Sequence, residues 1–189
     1  MSQLMTDRKG DWMQTYTGRK FWPLDPRPED IDIEEIAHAL SNICRFGGHV
    51  QVFHSVAYHS VLVSQECQPQ YALSGLLHDA AEAYCGDIVR PLKRELPSYC
   101  EIERRIQWAI ADRFWLPRYV PFDVKRADEV LLATEARDVM GANLNEWGLL
   151  SARPRTERII PIVDPRKAER LFMDRFVQLT GGQEASHAG

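Results

Sequence analysis

The chain has no apolar run approaching the roughly 20 residues that a membrane-spanning helix needs and no apolar signal core in Met1–Gly10. It is therefore expected to work in the cytoplasm, away from the membrane. Its four cysteines, Cys44, Cys67, Cys85 and Cys100, are widely spaced with no Cys-x-x-Cys. That argues against a disulfide scaffold or a zinc knuckle and for reduced thiols. There is no basic excess: the net charge is −4, which argues against stable nucleic-acid binding while leaving room for a small phosphorylated ligand held by a few local cations. Gly-x-x-x-x-Gly-Lys, Gly-x-Gly-x-x-Gly and Gly-x-Ser-x-Gly are all missing, so phosphate-loop, dinucleotide-fold and serine-hydrolase chemistries have no sequence support.

What is present is ordinary for one soluble domain: 189 residues, 44% hydrophobic and 26% charged. Residues 1–10 are expected to be disordered, 11–180 to form the domain, and 181–189 to be a small, polar, disordered tail. Gln14 to Trp22 reads as a short β-hairpin around Gly18. The remainder reads as helices, so the fold class is all-α with that hairpin in front. Asp32 is placed to cap a helix to about Ile43, with Ile33, Ile36, Ala37 and Leu40 on its apolar face. A helix over about Val50–Cys67 puts Val52, Val56, His59 and Val63 on one core-facing stripe, with His54 off it and solvated and His49 ambiguous at its start. Another over about Tyr71–Tyr84 is stopped by Gly86. Ile102, Ile106, Ile110 and Phe114 mark a helix over Tyr99–Phe114. The helix over about Phe122–Met140 carries Val124, Asp128, Leu131 and Glu135 on one stripe, and a last helix over Pro165–Leu179 carries Ala168, Leu171, Phe172, Phe176 and Leu179.

Three of these helices place a polar group on an apolar face. His78-Asp79 sits within Leu76-Leu77-His78-Asp79-Ala80-Ala81-Glu82, where unpartnered burial would cost several kcal/mol, roughly 2–7 per group. A core histidine held by a carboxylate would explain that pair alone. With His59 and Asp128 added, two imidazoles and two carboxylates form a ligand set suited to a divalent metal, drawn from separate helices of a bundle.

The ordered set His59, His78-Asp79 and Asp128 resembles the H…HD…D signature of the HD-domain phosphohydrolase superfamily. Arg45-Phe46, Glu82, Gly86-Asp87-Ile88 and Pro91-Leu92-Lys93 extend the resemblance to its 5′-deoxynucleotidase-like branch over roughly residues 40–140. The resemblance implies an HD-type helical bundle with His59, His78, Asp79 and Asp128 as metal ligands. The ion would be manganese, cobalt, zinc, nickel or iron, and a second ion could arrive with the substrate phosphates. It further implies that Arg45 clamps a phosphate, Phe46 (often tryptophan in the family) packs on sugar or base, and Lys93, with Arg90 or Arg94 behind it, neutralises phosphate oxygens. Glu82 would act near the attacking water or a second ion, and Asp87 would donate a proton to the leaving oxygen or bind that ion.

The implied activity is metal-dependent cleavage of the 5′ phosphoester of a deoxynucleoside monophosphate. Release of triphosphate from a deoxynucleoside triphosphate breaks the same bond and is the alternative. A catalytically silent nucleotide-binding regulator is the second, against which the intact Glu82 and Asp87 speak. The His78-Asp79-Ala80-Ala81-Glu82 run lacks the consecutive Glu-Asp pair associated with alarmone hydrolases, and the chain has no Gly-Tyr-Pro motif of the cyclic-dinucleotide branch. The family is commonly oligomeric, which implies a homodimer or higher homo-oligomer. Residues 143–162, irregular and carrying Trp147, Arg153, Arg155 and Arg158, would cover the pocket or form a subunit contact. Trp115 suits an interface or the core. His38 is expected to be an ordinary helix residue, and His187 belongs to the tail.

Overall fold

The computed structural model describes residues 7–141 and 153–181. Among the described residues eight α-helical segments follow a minimal antiparallel hairpin in which β1 (Met13–Gln14) pairs with β2 (Lys20–Phe21), Met13 opposite Phe21. The helices are α1 (Ile33–Asn42), α2 (Val56–Glu66), α3 (Ala72–Leu76), α4 (Glu82–Cys85), α5 (Arg90–Lys93), α6 (Pro97–Arg113), α7 (Phe122–Asp138) and α8 (Pro165–Thr180). Among the described residues no helix is long and apolar enough to cross a membrane.

Helix α2 is the central member and packs on α1, α3, α7 and α8. It is buried almost all round: Val56, Ala57, His59, Ser60, Val61, Leu62, Val63 and Ser64 lie inside, as expected of a helix surrounded by others. One apolar cluster joins α1, α2, α3, α6 and α8 through residues such as Ile36, Leu40, Leu76, Ile106, Phe172 and Phe176. A smaller one joins α2 to α7 through Leu62, Val63, Val124 and Leu131. The polar side chains of the site sit where α2, α3 and α7 meet.

Local chemistry sets most of the boundaries. Asp32 caps α1 by accepting from the Glu34 N–H at 2.9 Å, as the sequence predicts. Asp164 caps α8 through the Arg166 N–H at 3.0 Å, and Pro97 opens α6 at a position where its missing N–H costs nothing. The hairpin is tied down by the buried Glu35, which accepts from Thr15 and Thr17. Arg8, within the segment expected to be disordered, pairs with Asp30 and lies 3.6 Å from Asp25. His38, read as an ordinary helix residue, stacks on Tyr16 at 3.6 Å between ring centroids and approaches Glu169 at 3.2 Å.

Two expectations are corrected. The helix read over Val50–Cys67 starts only at Val56, because Ser55 takes the capping role and accepts from the Tyr58 N–H at 3.2 Å. Val52 is consequently exposed, while His54 lies in the extended segment before the cap and is fully buried. The helix read over Tyr71–Tyr84 is broken between Leu76 and Glu82. The His78 ring Nδ1 bonds the Gly75 carbonyl at 2.8 Å; in a continuous helix that carbonyl would receive the Asp79 N–H. The side chain has displaced the backbone partner, and the chain proceeds through tight turns. Residues 143–152 with Trp147, and residues 182–189 with His187, lie outside the described residues.

Candidate metal centre and phosphate pocket

His59 comes from the middle of α2, His78 and Asp79 from the broken turn after α3, and Asp128 from α7. The close approach of α3 to α2 depends on Gly75. A Cβ there would stand 2.8 Å from Cys67 Sγ and 3.2 Å from Ser64 Cα, so a larger residue would push the turn bearing His78 away from His59.

The two histidines face each other through Nε2 at 3.4 Å. His59 Nε2 is 3.3 Å from Asp128 Oδ1 and 3.7 Å from Asp79 Oδ2. His78 Nε2 is 3.2 Å from Asp79 Oδ2 and 3.9 Å from Asp128 Oδ1. Donors about 2.1 Å from a shared ion stand roughly 3.0 Å apart at right angles and up to about 4.2 Å apart across it, so these separations fit an ion in their midst. His59, His78 and Asp128 offer atoms that all lie within 4.8 Å of one another.

Ring orientation points the same way. His78 Nδ1 faces a carbonyl oxygen, which can only accept, and His59 Nδ1 faces the Glu135 carboxylate at 2.6 Å. Both Nδ1 atoms must therefore donate, which turns both Nε2 atoms toward the carboxylates and toward each other. Two lone pairs and two carboxylates gathered in one place need a cation, either protons or a metal.

The titration behaviour of these groups reflects that need. Burial disfavours the His59 imidazolium and Arg45 adds to it, but Glu135 and Asp128 outweigh both and raise its pKa to about 9. His78 is also raised, burial being overcome by Asp79 and Asp128. Asp79 and Asp128 are held below the ordinary carboxylate range, the facing imidazoles winning over burial. A metal entering while His59 carries this stabilised proton must displace it. Metal uptake is expected to release protons, and apparent affinity to weaken on acidification. Calorimetric titration of Co²⁺ in buffers of different ionisation enthalpy checks this; buffer-independent heats would contradict it.

Beside the cluster opens a cavity of about 510 Å³, whose lining includes Arg45, Phe46, Glu82, Asp87, Lys93 and Leu132. Arg45 and Phe46 belong to a 3₁₀ segment, Arg45–Gly48, in which Phe46 and Gly47 have φ of 58° and 61°. A bulky residue in the left-handed region is strained, and the strain sits where Phe46 forms a cavity wall. Burial raises Glu82 well above the ordinary carboxylate value, with Asp79 and Asp87 adding to it; its Oε2 is buried without a hydrogen-bond partner. Asp87 is raised as well, by burial first and then by Asp79 against the opposing pull of Arg45. Lys93 lines the cavity but gives its ammonium to Glu103 at 2.6 Å. Arg90 lines it too, whereas Arg94 is not part of the lining.

The sequence reading missed two residues. Glu135 had been placed on the α7 stripe without a role, and it is a fully buried carboxylate bonded to His59, His54 and Arg45. His54, expected in solvent, donates from Nε2 to the Glu135 carboxylate at 2.9 Å. A signal for Glu135 existed in its seven-residue spacing from Asp128, two helical turns on one face. None existed for His54, because its burial depends on where α2 starts. His54→Ala is expected to destabilise the protein by about 2–4 kcal/mol through the lost volume and the weakened Glu135 network. Urea denaturation reads this directly, and a change under about 0.5 kcal/mol, usual for surface sites, would contradict the burial.

No family model matches the sequence. Curated relatives do. The uncharacterized protein YfdR of Escherichia coli (strain K12) is 43% identical over 171 residues, covering 89% of this chain and 96% of its own. The uncharacterized protein RCAP_rcc00048 of Rhodobacter capsulatus is 35% identical over 160 residues, covering 77% and 82%. The chain belongs to the YfdR family. Neither printed name carries an activity, so the chemistry of the YfdR-like site must be argued from its own residues.

Proposed function

We propose that this YfdR-family protein is an HD-type, metal-dependent phosphohydrolase that cleaves the 5′ phosphoester of deoxynucleoside monophosphates. The observation that carries this reading is the convergence of His59 and His78 on Asp79 and Asp128, two carboxylates that line a cavity also holding Arg45, Glu82 and Asp87. A cavity of about 510 Å³ lies in the range for a small organic ligand, roughly 300–1,000 Å³.

His59, His78, Asp79 and Asp128 would hold the divalent ion. When bound, that ion supplies Lewis-acid polarisation of the phosphoryl group and acidification of water. Arg45 orients the phosphate, its planar fork matching phosphoryl oxygens. Glu82, buried and biased toward its protonated form, can hold or pass a proton at the reacting face, and Asp87 can protonate the departing ribose oxygen. Phe46 and Leu132 provide apolar walls against which a sugar or base can pack.

The cations favour one phosphate over three. Arg45 is already tied to Glu135 and Asp79 and Lys93 to Glu103, so among the described residues Arg90 is the one lining cation outside an ion pair, a modest positive charge for a triphosphate chain.

A product assay tests the proposal. The protein is loaded in turn with Mn²⁺, Co²⁺ and Zn²⁺ and incubated with deoxynucleoside mono-, di- and triphosphates and their ribose counterparts, and the products are separated by chromatography. Nucleoside plus phosphate from monophosphates is the expected result. Triphosphate release would replace it with the triphosphohydrolase. Silence on every substrate with metal bound would leave a nucleotide-binding regulator and end the hydrolase reading.

A further inference from the structure

Glu135 faces two tasks with its two oxygens. Oε1 meets His59 Nδ1 at 2.6 Å and His54 Nε2 at 2.9 Å. Oε2 accepts from Arg45 Nη2 at 3.0 Å and Nε at 3.3 Å. The side chain has no exposed surface, so protein groups alone serve both of its oxygens. We infer that Glu135 is a positioning residue that sets the metal ligand His59 and the anion-binding Arg45 at the same time, so that cation site and anion site share one buried buttress. This rests on the phosphohydrolase reading above.

Three physical points carry it. First, an ionised carboxylate is an acceptor at both ends with about four lone-pair sites, and the four contacts above occupy them. Second, the contact with His59 Nδ1 fixes which ring nitrogen keeps its lone pair, and that nitrogen, Nε2, faces His78 and Asp128. Carboxylates that orient ligand histidines in this way govern metal affinity strongly. Third, Glu135 engages the Nε and Nη2 side of the Arg45 fork, which leaves Nη1 on the cavity side, 3.5 Å from Asp79 Oδ2. Without that grip the guanidinium has no fixed direction in which to offer its remaining donors.

A neutral isostere cannot reproduce the arrangement. Glutamine accepts at one end and donates at the other, so Glu135→Gln must turn an amide N–H₂ group toward either His59 Nδ1–H or Arg45. Either orientation sets donor against donor in a buried space.

The test uses the full chain, Co²⁺ alone as the metal probe and inorganic phosphate as the anion probe. Glu135→Gln is expected to weaken Co²⁺ binding about 10–100-fold. At saturating Co²⁺ it is expected to weaken phosphate binding about tenfold, the loss of roughly one charge-assisted hydrogen bond. In an Arg45→Ala background the phosphate effect should vanish while the Co²⁺ effect remains. A folded Glu135→Gln protein matching the unaltered one in both affinities overturns the inference. A phosphate loss just as large without Arg45 overturns it too.

Should Glu135→Gln fail to fold, nitrogen-15 NMR on the unaltered protein loaded with Zn²⁺ decides the matter. His59 protonated on Nδ1, with slow exchange there and at Arg45 Nε–H, is expected; the opposite tautomer or rapid exchange at either group overturns the inference. The two readings fail separately. Absence of Co²⁺ binding by the unaltered protein removes the metal centre and this inference with it. Intact binding with the expected Glu135→Gln losses but no hydrolysis removes only the hydrolase.

Discussion

Asp128→Ala is expected to lose bound metal and catalytic turnover together. Asp128 brings an oxygen to 3.3 Å from His59 Nε2 from α7, whereas His59 comes from α2 and His78 from the turn after α3, so its removal opens one side of the cluster rather than thinning it. Loss of a residue that merely orients a ligand costs about 10–100-fold in metal affinity, and loss of a direct ligand should cost more. The fold should survive: Asp128 is only partly buried, and its neighbours Val124 and Leu131 keep α7 on α2. The measurement is metal content after gel filtration together with thermal denaturation with and without Co²⁺. The unaltered protein should melt higher with metal, since a ligand of the native state stabilises it by mass action, and the variant should show no such rise. A variant that keeps its metal and its metal-dependent melting shift would remove Asp128 from the ligand set.

Glu82→Ala should separate chemistry from binding. Glu82 lines the cavity without any contact to the ring nitrogens of the cluster among its hydrogen bonds, and its Oε2 has no protein partner. Burial with Asp79 and Asp87 nearby keeps it biased toward the protonated form, so removing it relieves an unfavourable burial. Stability should hold or rise slightly, and Co²⁺ affinity should stay close to that of the unaltered protein. Turnover should fall about 10²–10⁴-fold, the usual contribution of a positioned acid or base. Steady-state rates on the monophosphate substrate, with metal content measured on the same sample, check both halves. Unchanged turnover would take Glu82 out of the mechanism. Equal loss of metal would instead make it a ligand.

The sequence by itself determined the helical class, most helix ends and the polar residues worth watching. The four-residue repeat of Ile102, Ile106, Ile110 and Phe114 and the capping Asp32 act locally, so their outcome could be read without knowing the rest of the chain. His59, His78, Asp79 and Asp128 were legible because polar groups on apolar faces demand a partner. Other features were decided only by tertiary structure. Whether α2 began at Val50 or Val56 turned on Ser55 meeting the Tyr58 N–H, and that choice sent His54 into the interior. The break after Leu76 followed from the His78 ring taking the Gly75 carbonyl, which is favourable only where His78 has His59 and the carboxylates to face. The role of Glu135 needed residues 45, 54 and 59 to arrive around α7 from positions 76 to 90 residues away in the chain. Such convergence is a product of packing the Arg45–Gly48 segment, the stretch before α2 and α2 itself against α7, and no local pattern encodes it.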